Sequence, residues 1–116
     1  MLAISKNDRV FISLDPVDFR KQIKGLIIAT QNIIKQNPYS GHYFVFINKR
    51  KLSIKILHHD RQGYWLHQKV LSIGRFTHWP NGTGATEIDP MKLLVLLSNG
   101  DPESAAFAED WIEKKV

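Results

Sequence analysis

The segment KILHHDRQGYWLHQK, Lys55 to Lys69, gathers His58, His59 and His67 with Asp60, Arg61, Tyr64 and Trp65 between two lysines. Residues of these types support three kinds of chemistry. Histidines with an aspartate ligate metal ions. They also exchange protons as general acids and bases. Cations beside an exposed aromatic meet phosphates and stack bases. Spacing separates these readings. His58 and His59 are adjacent, so on a strand they point to opposite faces and share one ion only across a bend. His58 and Asp60 with His67 from a following strand is geometrically open. No helical His-x-x-x-His pair or recurring ligand pair supports it. The histidines therefore read as polar strand and turn residues, and no metal or other cofactor is expected. The sequence has no cysteine, which removes disulfides and thiolate zinc sites.

Catalytic readings are weaker. Asp15, Asp18, Asp60, Glu87 and Asp89 are scattered, mostly where turns and helix caps favour a carboxylate. A nuclease needs carboxylates clustered around divalent ions. The stretch NGTGAT is glycine-rich but lacks the lysine and following helix of a phosphate loop. A non-enzymatic protein with no small-molecule substrate is expected.

Charge favours the third reading. The 116-residue chain carries a formal net charge of +5. Residues 1–75 hold thirteen Lys and Arg against four Asp and Glu, and residues 76–116 hold three against seven. A basic body with an acidic tail points to an anionic partner for the body. Lys49, Arg50 and Lys51 form a basic connection between two strand-like runs. Lys55 and Lys69 fall on neighbouring strands, with Arg61 in the turn between them. Trp65, His67 and Lys69 share one face by period two. Arg20, Lys21 and Lys24 lie on the exposed side of a helix, and Arg75 follows the last strand. These ten cations, Arg20, Lys21, Lys24, Lys49, Arg50, Lys51, Lys55, Arg61, Lys69 and Arg75, are the candidate nucleic-acid contacts.

Elements that position these side chains follow from periodicity. Arg9–Ser13 is β-prone. Asp15 or Asp18 with Pro16 reads as a helix start. Phe19, Ile23, Leu26, Ile27, Ile33 and Ile34 mark one helical face ending near Lys35. Gly25 inside that helix suggests close packing of another element. His42–Ile47, Leu52–Leu57 and Tyr64–Leu71 are strand-like runs with short connectors, an antiparallel meander. NGTGATEI reads as a loop. Asp89, Pro90 and Gly100 bracket a leucine-rich helix, and a second Asp-Pro start at Asp101 opens another. The expected fold is a single α+β domain over 1–116: an antiparallel β-meander packed against one long helix, with two short C-terminal helices. Its core spans 9–101 and a helical extension spans 102–116. The apolar runs are far shorter than the roughly 20 residues that cross a bilayer. The N-terminus has no secretory h-region, so a cytoplasmic protein without membrane contact is expected.

Several motifs together resemble a known family. DFRKQIKGL (Asp18–Leu26) is similar to an Asp-x-Arg-Lys-x-x-x-Gly-Leu signature. NPYSGHYFVFINKRKLSIKIL is similar to a Pro-x-Ser-Gly-His-x-Phe-Val-Phe block running into a basic hairpin. DRQGYWLHQKVLSIGRFTHWP resembles Asp-x-x-Gly-x-x-Leu-x-x-Lys-x-Leu followed by Gly-x-Phe and Trp-Pro. MKLLVLLSNGD matches a closing leucine-rich helix. Each motif is weak alone, and the ordered set is specific. The family is the TnpB, or Orf2-like, accessory protein of the insertion-sequence 66 elements of bacteria. The resemblance covers Arg9 to Asp101. Lys69–Val70 departs from the commoner Lys-Arg. The resemblance implies a cytoplasmic accessory of DNA transposition, acting with a separate, larger transposase that cuts the strands. It carries over no catalytic residue. Its matching positions are Arg20, Lys21, Arg50, Lys55, Asp60, Gly63, Lys69, Gly74, Phe76, Trp79 and Pro80. DNA and the transposase are the expected partners. The alternative is a protein-interaction module that bridges the transposase without binding DNA, through an apolar patch around Phe76, Trp79 or LLVLL.

Overall fold

The computed structural model describes residues 2–104. Its centre is a five-stranded mixed sheet. In chain order the elements are β1 (Val10–Ser13), α1 (Ile23–Ala29), β2 (Tyr43–Ile47), β3 (Ser53–His59), β4 (Tyr64–Val70), β5 (Ala85–Ile88) and α2 (Pro90–Leu97). Strand order is β4-β3-β2-β1-β5. The β2–β3–β4 meander is antiparallel, as its short connectors predict. β1 pairs parallel to β2 and antiparallel to β5.

Both faces of the sheet are covered. Phe11, Phe44, Phe46 and Leu57 pack with Leu26 and Ala29 of α1 on one face. Val10, Ile12, Val45, Ile54 and Ile56 pack on the other, with Leu93 and Leu96 of α2 and with Phe76 and Trp79. Central strands buried on both sides explain the uninterrupted apolar run of β2.

Four expectations are corrected. The first helix starts at Ile23 rather than Phe19, with Gln22 as its cap residue. Asp18 instead accepts from the Arg20 backbone N–H in a local turn at 2.9 Å, and Asp15 accepts from Gly84 N–H at 2.8 Å. α1 then runs into a π-helical turn, Thr30–Ile34. There buried Thr30 donates its hydroxyl to Leu26 C=O at 2.8 Å, and Lys35 ends the turn at φ 61°. A side chain bonding back one turn competes with the regular ladder. The atoms nearest to a Cβ at Gly25 belong to Lys21 rather than to another element, the Lys21 Cβ at 2.7 Å, so the glycine makes room for the chain entering its own helix.

The second correction is β5, whose ATEI sequence reads as loop but pairs along β1 from Val10–Ile88 to Ser13–Ala85. Third, α2 begins as expected, with Asp89 accepting from Met91 N–H and Pro90 in the first turn, but the second C-terminal helix is not part of the described fold. Only a 3₁₀ turn, Pro102–Ser104, follows α2, and the remainder of that expected helix lies outside the described residues. Fourth, Phe76 and Trp79 are core residues. The Trp79 indole donates to Ser13 C=O at 3.0 Å and ties the 71–80 segment to β1.

Candidate nucleic-acid interface

Strand directions create two chemically distinct ends of the sheet. One end collects the loop after β1, the β2–β3 turn, the segment after β4 and the C-terminus of α2. Backbone bonds lock these together. Val17 N–H donates to Ile47 C=O at 2.9 Å, and Phe76 N–H to Lys51 C=O at 2.7 Å. The Asn99 side chain donates to Arg75 C=O at 3.0 Å.

This end is basic. Arg20 and Lys49 line one open depression with Val17, Asp18, Phe19 and Asn48. Arg50 and Lys51 complete the turn, Lys51 at φ 58°. Asn48 folds the turn by accepting from Leu52 and Ser53 N–H groups at 2.9 and 3.2 Å. Arg75 is tied beside Lys51 through Phe76, and Lys21 borders the same loop. Arg20 binds Asp18 in a bidentate ion pair at 2.6 Å, which holds the Asp18 carboxyl down at about 2, first through the side-chain hydrogen bond. Arg20 nonetheless keeps its side chain exposed. Among the described residues, Lys49, Arg50, Lys51 and Arg75 make no ion pair.

The opposite end holds the chain before β1, the β3–β4 turn and the start of α2. Asp8, Asp60, Glu87 and Asp89 lie there by register, together with Arg9 and Arg61. Glu87 pairs with Arg9 at 2.8 Å. Asp60 accepts from Gln62 and Gly63 N–H groups and from the Trp65 indole at 2.6 Å.

The ten candidate cations therefore separate. Arg20, Lys21, Lys49, Arg50, Lys51 and Arg75 come together. Lys24 is exposed on the first turn of α1. Lys69 is on the same face as His67 and Trp65, as its period predicts, but its ammonium reaches Leu97 C=O at the end of α2, where a cation suits the helix dipole. Arg61 sits at the acidic end, at φ 85° in the β3–β4 turn. That turn takes its left-handed residue at Arg61 rather than at Gly63.

Lys55 is a correction. It is only 2 % exposed, on the face covered by α1. Its Nζ donates to Phe19 and Lys21 carbonyls, each at 3.1 Å, and lies 4.8 Å from the Phe19 ring centre. Burial lowers its pKa. It cannot reach a phosphate; it anchors the loop that presents Arg20 and Lys21.

His58 and His67, whose meeting the sequence left open, come together within an aromatic row. Tyr43, His58, His67 and Trp65 follow one another across β2, β3 and β4, with His58 and His67 rings 5° from parallel. Their Nε2 atoms are 3.1 Å apart. Cross-strand pairing of His58 with Trp65 and Ile56 with His67 places them on one face. Among the described residues, no three His, Asp or Glu side chains gather as a metal site. No helix among them is long and apolar enough to cross a membrane.

Comparison with known proteins agrees with the motif order. Two uncharacterized proteins of Sinorhizobium fredii are similar to the chain. Protein y4hO is 37% identical over 102 residues, covering 87% of this chain and 88% of its own. Protein y4jC is 31% identical over 101 residues, covering 87% and 86%. No solved structure matches. The family model described as IS66 Orf2-like protein matches residues 8–106, and the chain belongs to that family.

Proposed function

We propose that the chain is a non-enzymatic accessory of IS66-type transposition that holds DNA at the basic end of its sheet. Membership of the IS66 Orf2-like family implies the role in transposition. The observation that supports DNA as the ligand is that Arg20, Lys21, Lys49, Arg50, Lys51 and Arg75 share three adjoining loops at one end of the sheet, where they outnumber Asp15, Asp18, Asp101 and Glu103. Such a patch gains affinity by releasing counterions from the phosphate backbone, with little sequence preference of its own. The separate transposase is the protein partner in this reading and supplies the strand chemistry.

Trp65 is not part of the DNA surface in this proposal. Its indole is bound to the Asp60 carboxylate, and a carboxylate beside the ring repels an incoming phosphate.

Fluorescence anisotropy with duplex from an element end, titrated with salt, tests the proposal. Six phosphate contacts give a log–log slope of about −5. Binding that is absent, or that ignores salt, rejects it.

A further inference from the structure

β4 is an edge of the sheet, and it is an unprotected one. Leu71 N–H donates to Leu52 C=O, and Gly63 C=O accepts from Asp60 N–H. Backbone groups alternate along a strand, so Trp65, His67 and Lys69 also bond inward to β3. Tyr64, Leu66, Gln68 and Val70 direct their N–H and C=O groups outward. No strand among the described residues pairs with them. Edge strands are normally kept short, bulged, or guarded with proline and charge. β5, the other edge, is four residues long and carries Glu87. β4 is seven residues long, has no proline and carries one charge, Lys69. Its apolar side chains are exposed: Trp65 by 54 %, Val70 by 61 % and, just beyond, Ile73 by 91 %.

We propose that a second copy of this chain docks on β4, strand against strand and antiparallel, about a two-fold axis at His67. The sequence of β4 is self-complementary in that register. Tyr64 lies opposite Val70 of the other copy, an aromatic beside a β-branched side chain, and Leu66 lies opposite Gln68. On the other face Trp65 lies opposite Lys69 of the other copy, whose aliphatic stem covers the indole while its ammonium stays on the Leu97 carbonyl. The outward residues pair with one another through both backbone bonds, and every edge group of β4 is satisfied. No two lysines face each other. The two central histidines meet without like charge at neutral pH, since burial already favours the neutral form of His67.

Charge is compatible with the same occupant: antiparallel docking holds the two basic ends at opposite ends of the pair. A transposase strand is the competing occupant, and nothing in β4 selects it over this self-matching register. The proposal stands whether or not the basic end binds DNA.

The full-length chain, free of DNA, is measured by size-exclusion chromatography with light scattering at submillimolar concentration. A dimer is expected. Gln68→Pro removes an outward N–H and no backbone bond to β3, losing only the side-chain bond to the Ser53 hydroxyl, and is expected to give a folded monomer by circular dichroism. The natural chain has no cysteine, so single cysteines report the register. His67→Cys places two thiols on directly opposed residues about 4.5–5.5 Å apart at Cα, within disulfide range. It is expected to cross-link rapidly under mild oxidation. Gln68→Cys, whose thiols are offset along the strands, is expected to stay reduced. A monomeric natural chain overturns the proposal, as does a folded Gln68→Pro dimer. Equal cross-linking by the two cysteine variants also overturns it. Should Gln68→Pro fail to fold, the cysteine pair decides alone.

Discussion

The ammonium of Lys55 is held by the Phe19 and Lys21 carbonyls at 3.1 Å each, so a strand on the buried face of the sheet fixes the loop that carries Arg20. Without a carboxylate beside it, this cation is satisfied by backbone oxygens and the face of Phe19. Lys55→Met keeps the aliphatic stem and removes the ammonium. The two carbonyls lose a charged donor, which costs about 1–3 kcal/mol. Urea unfolding should show a lower midpoint with an unchanged slope. Lys55→Ala should be worse, since it also empties the space beneath α1.

Lys55 also shows where sequence reasoning stopped. Alternation placed it opposite Ile54 and Ile56, and that was right. Its expected role as a nucleic-acid contact fails because α1 covers that face. The meander was legible because its connectors are short. The parallel β1–β2 pairing was not, because it joins strands separated by a whole helix. β5 was hidden because Ala85–Ile88 is short, partly exposed and preceded by glycines; only the register with β1 makes it a strand. The basic turn at Lys49–Lys51 was visible as a charge run. Its company with Arg20 and Arg75 needed the tertiary fold.

The Asp89 carboxylate accepts from Met91 N–H at 2.8 Å and starts α2. Asp89→Ala leaves that amide unpartnered and should cost about 0.5–2 kcal/mol. Asp89→Asn should cost far less, because asparagine caps comparably. The comparison is made by thermal melts at one pH.

Histidine titration should set the acid limit of stability before the carboxylates do. Burial holds His58 and His67 below the ordinary histidine range, and the neighbouring His67 adds to the effect on His58. The unfolded chain therefore takes up protons first as pH falls. Stability is complete above about pH 6.5 and declines toward the lowered native values. The lowered carboxyls of Asp18, Asp60 and Glu87 lose their contribution only at more acid pH. Melting temperature should fall between pH 7 and 5, and the double variant His58→Asn, His67→Gln should flatten that segment. A slope unchanged in the double variant would assign the loss to other groups.

Arg61 and Arg50 make a matched pair for the DNA proposal, each an exposed arginine in a hairpin turn but at opposite ends of the sheet. Arg50→Ala should weaken binding and reduce the salt slope by about 0.9, the share of one phosphate contact. Arg61→Ala should leave the slope unchanged, because Arg61 stands at the end of the sheet opposite Lys49, Arg50 and Lys51. Arg61→Gly should raise stability by up to about 1 kcal/mol, because Arg61 occupies the left-handed region at φ 85° that glycine adopts freely. Equal losses of DNA affinity from the two arginines would show that affinity follows net charge rather than the end of the sheet where Lys49, Arg50 and Lys51 stand.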